Sequence, residues 1–348
     1  MRQDTDIILA LNVGSSSLKF GLYEARMTGV TELFADALVE PTRDDRLFDR
    51  IKAALDCAQT PSPTAIAHRI VHGGPNLRQH CRIDSAVIEE LESAIAFAPL
   101  HGPESLKLIR QAQRHFPLLP QVACFDTAFH VTLPEVAYTL PLPTALRVEG
   151  IRRYGFHGLS CASIVRQLDR DLPDRLIIAH LGNGASVTAV KAGRSIDTSM
   201  GLTPTGGVVM STRAGDLDPG VLLYLLREKQ LRGDELETLL DQQSGLLGIS
   251  GVSGDLRQLH ASSEGGARLA IDIFCYSVRK TIAATAAALG GVDLLVFTGG
   301  IGENDAAVRA SICDGLAWLG DLQVRIISSR EDEQIAWHTR AILQKTRA

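Results

Sequence analysis

Two arginines, an aspartate and a histidine stand where their types can do chemistry. Arg69 lies in Ala67-His68-Arg69-Ile70-Val71-His72-Gly73-Gly74, at the carboxyl end of an apolar run that reads as a strand. Asp126 follows a second such run, in Cys124-Phe125-Asp126-Thr127-Ala128-Phe129-His130. His157 sits in Arg153-Tyr154-Gly155-Phe156-His157-Gly158, and Arg213 in a loop of Gly, Ser and Thr over 206–216. Ligands in α/β sheets bind outside the carboxyl ends of parallel strands, so Arg69 and Asp126 are expected to meet one. Each has an ordinary alternative: a strand-end arginine is commonly a surface charge, an aspartate there commonly caps a helix, and a buried histidine commonly completes a core hydrogen bond. Glycine neighbours favour ligand approach at His157 and at His180, and the loop around Arg213 has too little apolar content to order itself without a ligand or domain closure.

The donors for an anion come in a repeated phrase: apolar strand, Asn/Gly/Ser loop, apolar strand. Its first copy is 7–11, then Asn12-Val13-Gly14-Ser15-Ser16-Ser17, then Leu18-Lys19-Phe20-Gly21-Leu22; its second is 176–181, then Gly182-Asn183-Gly184-Ala185-Ser186, then 187–190. Glycine lets backbone close on a ligand, and clustered N–H and hydroxyl groups suit phosphate oxygens, although Asn-Gly also marks plain hairpins. A third glycine segment, Phe297-Thr298-Gly299-Gly300-Ile301-Gly302-Glu303-Asn304, runs from strand through turn into helix and offers a nucleotide close backbone contact. It has neither the Lys-Ser/Thr ending of a P-loop nor the dinucleotide glycine spacing. Two phrases about 170 residues apart predict two similar domains facing each other, with phosphate passed between their loops.

The elements that must position these residues follow from hydrophobic patterning. Strands are expected at 7–13, 17–24, 31–39, 65–71 and 121–125, with helices at 44–57, 84–97 and 103–115. After a Pro-punctuated stretch at 134–143 come two strands from 176 and a Gly/Thr/Ser-rich loop over 195–220. Helices follow at 219–229, 234–243, 267–289, 305–317 and 331–345, with strands at 293–298 and 322–328. Such alternation indicates α/β layers, and 348 residues exceed the usual single core, so two domains are expected. A net charge of −5 with dispersed cations argues against a nucleic-acid surface. The N-terminal apolar run is too short for a signal segment or membrane span, which predicts a cytoplasmic protein with no membrane contact. Six cysteines without CxxC or metal spacing read as reduced core residues.

Taken in order, the segments 12–19, Arg69, Ala98-Pro99-Leu100-His101, Asp126, 154–158, 180–184, Arg213 and 299–304 resemble the acetate kinase family, within the superfamily of acetate and sugar kinases and actin. The resemblance implies a duplicated βββαβαβα (ribonuclease H-like, actin-like) α/β fold of two domains with a central cleft. The first would span 1–148 completed by 330–348, and 149–329 would bind nucleotide and dimerise. It implies reversible, direct in-line phosphoryl transfer between ATP and acetate, giving acetyl phosphate and ADP, with Mg²⁺ or Mn²⁺, in a homodimer. Carried over by position, Arg69 and Arg213 resemble the grip on the carboxylate and the migrating phosphoryl group. His157 resembles the donor to that group, Asp126 the essential carboxylate and His101 a second active-site histidine. Val71, Leu100, Phe156 and Pro204 resemble the lining of the methyl pocket. Lys19, His180, Leu181, Gly182, Asn183, Gly184, Asp255, Leu256, Arg257, Gly300, Ile301, Gly302, Glu303 and Asn304 correspond to phosphate and nucleotide contacts, and Asn12 and Glu331 to metal contacts.

The chemistry agrees independently. A carboxylate with a pKa of about 4 to 5 is ionised at pH 7 and needs no base, so the difficulty is repulsion between two anions, which preorganised cations relieve. Asp126 is therefore expected to orient a metal or an arginine rather than accept a proton. The pattern departs from the family at Ser328-Ser329-Arg330-Glu331-Asp332-Glu333, where a longer stretch and Thr-Asn-Glu-Glu are usual, and at Gly102, where Asn is common. Alternatives are a propionate or butyrate kinase, or a non-catalytic nucleotide-binding regulator of the same fold.

Overall fold

A continuous apolar run over 7–11 builds a strand buried on both faces, and the computed structural model shows what it joins. It describes residues 5–14, 17–39, 46–99 and 101–347; Ser15, Ser16 and Leu100, singled out above, lie outside them. The chain divides into two compact units, Met1–Val131 with Gly158–Ser163 and Arg330–Ala348, and Thr132–His157 with Ile164–Ser329.

The first unit holds strands β1 (Thr5–Val13), β2 (Ser17–Arg26), β3 (Gly29–Val39), β4 (Ala65–Ile70), β5 (Cys81–Arg82) and β6 (Gln121–Phe125), in the sheet order β3-β2-β1-β4-β6-β5. The first three form an antiparallel meander, and β4 and β6 add in parallel beyond β1. The second unit holds β7 (Arg175–Leu181), β8 (Ala185–Lys191), β9 (Arg194–Thr198), β10 (Leu294–Thr298) and β11 (Gln323–Ile326), in the order β11-β10-β7-β8-β9. Again three strands form a meander and two add in parallel beyond the first. Apart from the two-residue β5, the two sheets share one topology, which is the duplication that the repeated phrase predicts.

Side-chain parity decides which residues meet. In the first unit Leu9, Leu11, Val13, Leu18, Phe20 and Leu22 point to one face, packed on Leu47, Phe48, Ile51 and Leu55 of helix Leu47–Cys57 and on Leu108 and Ala112 of helix Gly102–His115. Ile8, Ala10, Ala65, Ala67, Val122 and Cys124 point to the other face, covered by Ile335, Ala336 and Leu343 of the C-terminal helix Glu331–Arg347. Continuing that alternation by two residues puts Asn12, Arg69 and Asp126 on this second face, under the same helix. Arg340 pins the helix with bonds of 3.1 Å to the buried Asp6 carboxylate and 3.0 Å to the Ala25 carbonyl. In the second unit the helix Gly265–Leu289 buries Ala267, Ala270, Phe274, Val278, Ile282, Ala286 and Leu289, a helical stripe laid on β7, β8 and β9.

Three local differences from the sequence reading have physical causes. The expected helix over 84–97 is a helix Ser85–Ser93, capped by the Asp84 carboxylate on the Val87 N–H, and then a tighter turn Ala94–Phe97. Residues 195–198 begin the expected polar loop yet belong to β9, because Ser195 and Thr198 are buried and the Thr188 and Thr198 hydroxyls bond each other across the ladder at 2.9 Å. Helices at Gly158–Leu168, Gly245–Ser250 and Leu256–Ala261 lie where hydrophobic patterning assigned no element.

Candidate active site

In the first unit the carboxyl ends of β1, β4 and β6 gather a charged network. Arg69 donates from Nε and Nη2 to both oxygens of Asp126, at 2.7–3.2 Å, and from Nη1 to Asn12 Oδ1 at 3.0 Å. Asn12 Nδ2 in turn donates to Asp332 Oδ1 at 2.7 Å, in the first turn of the C-terminal helix. Asp126 is neither a helix cap nor exposed: its side chain is 2% accessible and that of Arg69 16%. Burial pushes the Asp126 carboxyl up, the adjoining guanidinium pulls it back, and Glu331 adds to the rise. Burial opposes the Arg69 charge, but Asp126, Glu331 and Asp332 outweigh it and raise its pKa. Burial likewise raises Asp332, against its bond from Asn12 and the nearby positive charge of Lys19. A guanidinium has five N–H donors, so these bonds leave one N–H on each Nη for a substrate oxygen. Val71 and His101 share a space no larger than one water, about 10 Å³, with Ile70, His72, Ala98 and Ser105.

In the second unit the strand ends carry glycine and histidine instead. His157 has left-handed backbone (φ 57°, ψ 25°) just before helix Gly158–Leu168. Its ring stacks on His180, centroids 4.2 Å apart, and its Nδ1 lies 3.0 Å from Ser186 Oγ. A methyl group on Gly184 would sit 3.1 Å from His157 Nε2 and 3.3 Å from Arg213 Nη1, so glycine leaves a space on which a histidine and an arginine converge. Arg213 Nη1 also reaches the Pro204 carbonyl at 3.4 Å, and Phe156 is buried. Gly299, at φ +79°, turns β10 into helix Gly299–Asn304, where a Cβ would strike the Leu181 carbonyl at 2.7 Å. Glu303 closes that turn, its Oε1 accepting from Gly299 N–H at 3.0 Å and Ser329 N–H at 3.2 Å, while Asn304 Nδ2 donates to Gly300 O. Gly302 is buried inside it.

Eight of the expected nucleotide residues, Gly182, Asn183, Asp255, Leu256, Arg257, Gly300, Ile301 and Asn304, line one cavity of about 640 Å³. That size suits a ligand of nucleotide dimensions. Asp255 caps helix Leu256–Ala261 and pairs with the exposed Arg257 at 2.6 Å. The sequence reading missed His260 and Asp305, which line the same cavity and bond at 2.8 Å. It also missed Asp332 and the role of Ser186; the acidic run 331–333 and the last residue of the second glycine loop were their only signals.

No group of three His, Cys, Asp or Glu side chains among the described residues is arranged to hold a metal ion. Mg²⁺ bound by kinases takes most of its ligands from phosphate and water and one or two from carboxylates. The first turn of the C-terminal helix supplies such a pair in Glu331 and Asp332, whose charges both act on Arg69. The donor set therefore fits an ion carried in on phosphate rather than one caged by the protein. Asn12, expected on the metal, bridges Arg69 and Asp332 with its amide.

A duplicated sheet with anion donors at its strand ends defines a two-domain phosphotransferase of the actin-like kind. A sequence profile of the Acetokinase family matches residues 45–335. The acetate kinase of Nitrobacter hamburgensis is 40% identical over 389 residues, covering 97% of this chain and 96% of its own. Among solved structures, Porphyromonas gingivalis acetate kinase superposes with a TM-score of 0.84 at 33% identity, covering 97% of this chain and 100% of that one. A propionate kinase from Francisella tularensis gives 0.86 at 35% identity, covering 96% and 98%. The chain belongs to the acetokinase family and is a kinase with a carboxylate acceptor.

Proposed function

We propose that the protein transfers the γ-phosphoryl group of ATP to acetate, reversibly and in line, giving acetyl phosphate and ADP. The observation that carries this reading is the convergence of His157 Nε2 and Arg213 Nη1 beside Gly184, in the unit that also holds the 640 Å³ cavity. Two donor nitrogens bordering one small space suit the equatorial oxygens of a phosphoryl group, where charge must be stabilised as it is transferred. Arg69, fixed by Asp126 and Asn12, keeps an N–H on each Nη for the acceptor carboxylate, which arrives ionised and needs no base. Asp126 orients that arginine. Mg²⁺, held through Glu331 with Asp332 beside it, would neutralise phosphate charge.

On this reading the first unit takes the acceptor and the second the nucleotide. Homodimerisation through the second unit is supported by helix Pro219–Arg227, which exposes Val221, Leu223, Tyr224 and Leu226 to between 39% and 53%. No helix among the described residues is long and apolar enough to cross a membrane, in keeping with a cytoplasmic enzyme. Propionate is the second reading, favoured by the likeness to the Francisella enzyme. One methylene is worth only about 1–3 kcal/mol of discrimination, so propionate should react more slowly rather than not at all. Trapping acyl phosphate with hydroxylamine across acetate, propionate and butyrate, with ATP and with GTP, tests acceptor and donor together. Absence of acyl hydroxamate in every arm would reduce the protein to a nucleotide binder.

A further inference from the structure

The ring of His157 is held by one cross-strand pair. His180 and Ser186 face each other in the β7–β8 ladder, so their side chains leave the same side of the sheet. His157 meets both: its ring lies on His180 at 24° between planes, and its Nδ1 lies 3.0 Å from Ser186 Oγ. Ser186 is fully buried and His157 is 8% exposed. The opposite ring nitrogen, Nε2, faces the space beside Gly184 that Arg213 Nη1 also borders. With the backbone of His157 left-handed and its ring clamped on one face and one edge, neither nitrogen can exchange places with the other without dismantling the contact.

We infer that Ser186 is a positioning residue that sets the tautomer of His157, its hydroxyl donating to Nδ1 so that Nε2 carries the proton toward the transferred group. An anionic oxygen beside Gly184 needs a donor, and a neutral imidazole has one N–H to give. Were Nδ1 to hold it and donate to Ser186 Oγ, a lone pair would point at that oxygen. No bond is made or broken in this arrangement; Ser186 fixes where one proton rests. The role in transfer and the expected tautomer rest on the acetate kinase reading, whereas the contact between Ser186 and His157 does not.

Two-bond ¹H–¹⁵N spectra of ¹⁵N-histidine-labelled protein without substrate give the tautomer of each ring, and a His157→Gln sample identifies its signals. The expected wild-type pattern is a protonated Nε2 with an unprotonated Nδ1. Ser186→Ala should yield mixed tautomers and a kcat lower by about tenfold or more, the scale seen when a histidine loses its orienting partner, with KM for nucleotide within about twofold. Ser186→Thr keeps the hydroxyl and should restore both. A wild-type ring protonated on Nδ1, or on both nitrogens, overturns the inference, as does an Ala variant with the wild-type pattern. If the tautomer behaves as expected but no acyl phosphate forms, the proposed function fails and this assignment stands.

Discussion

Replacing Gly184 with alanine tests the phosphoryl-binding geometry with one methyl group. Gly184 is not among the glycines held at positive φ, so its backbone accepts a Cβ without strain, and the lost freedom of the unfolded chain offsets small repacking costs by about 0.4–1 kcal/mol. The methyl, however, would stand 3.1 Å from His157 Nε2 and 3.3 Å from Arg213 Nη1, where comfortable contact begins at about 3.5 Å. Both donors must then recede by a few tenths of an ångström, and the methyl fills part of the space they border. A misplacement of about 1 Å costs roughly 100-fold in rate, so kcat should fall by about 10- to 100-fold while the melting temperature moves by no more than about 3 °C. Gly299→Ala is the contrasting control: at φ +79° with the Leu181 carbonyl 2.7 Å away, it should lose stability by more than about 1 kcal/mol. Hydroxamate-coupled kinetics and scanning calorimetry read the two effects separately. A Gly184→Ala enzyme with wild-type kcat would refute the claim that this space belongs to the reaction.

Asp126→Ala should abolish activity at every pH, because it strips Arg69 of the partner that orients it; recovery on raising pH would instead point to a proton-accepting role. Arg69→Lys should do nearly as much harm, since an ammonium cannot bond both Asp126 oxygens and Asn12 from one planar fork. His68 is buried against Gln121, and burial lowers its pKa from 6.5 to about 4. A depressed folded pKa means that the unfolded chain binds the extra proton. Stability is therefore full above pH 6.5 and falls as pH drops toward 4, by about 3 kcal/mol for this residue. Denaturant titrations at pH 7 and pH 4.5 should show the loss, and His68→Leu should flatten it; an unchanged slope in that variant would contradict the assignment.

The sequence made the duplication legible because a strand–loop–strand phrase needs no distant partner to be seen, and the shared strand order of the two sheets is its outcome. Parity would have carried the first charged cluster too: Asn12, Arg69 and Asp126 each lie two residues beyond an inward-facing apolar position on their own strand. Asp332 was not legible, since its partner Asn12 is 320 residues away and three acidic residues at a helix start already have a sufficient local explanation in the helix dipole. Ser186 was read only as a donor to phosphate, whereas the ladder turns its side chain toward His157. Glu303 was read among nucleotide contacts, and its Oε1 accepts from backbone N–H groups of its own turn and of Ser329. In each case a local pattern told which residue mattered and tertiary pairing decided what it touches.

One topology therefore carries two different strand-end chemistries, and on the proposed function ligand size explains the difference. A nucleotide polyphosphate offers many oxygens and a large hydrophobic base, so a roomy cavity with backbone and glycine contacts can hold it without a buried charge. Acetate has four heavy atoms, and even at a ceiling of about 1.5 kcal/mol per atom its binding cannot exceed about 6 kcal/mol. A mobile arginine would forfeit much of that, since its side chain carries about 2 kcal/mol of rotamer entropy. Tying Arg69 to Asp126 and Asn12, and Asn12 to Asp332, meets that entropic loss during folding, before the substrate arrives. On that proposal, a network that looks wasteful, three acidic side chains around one arginine, is what a very small anionic substrate requires.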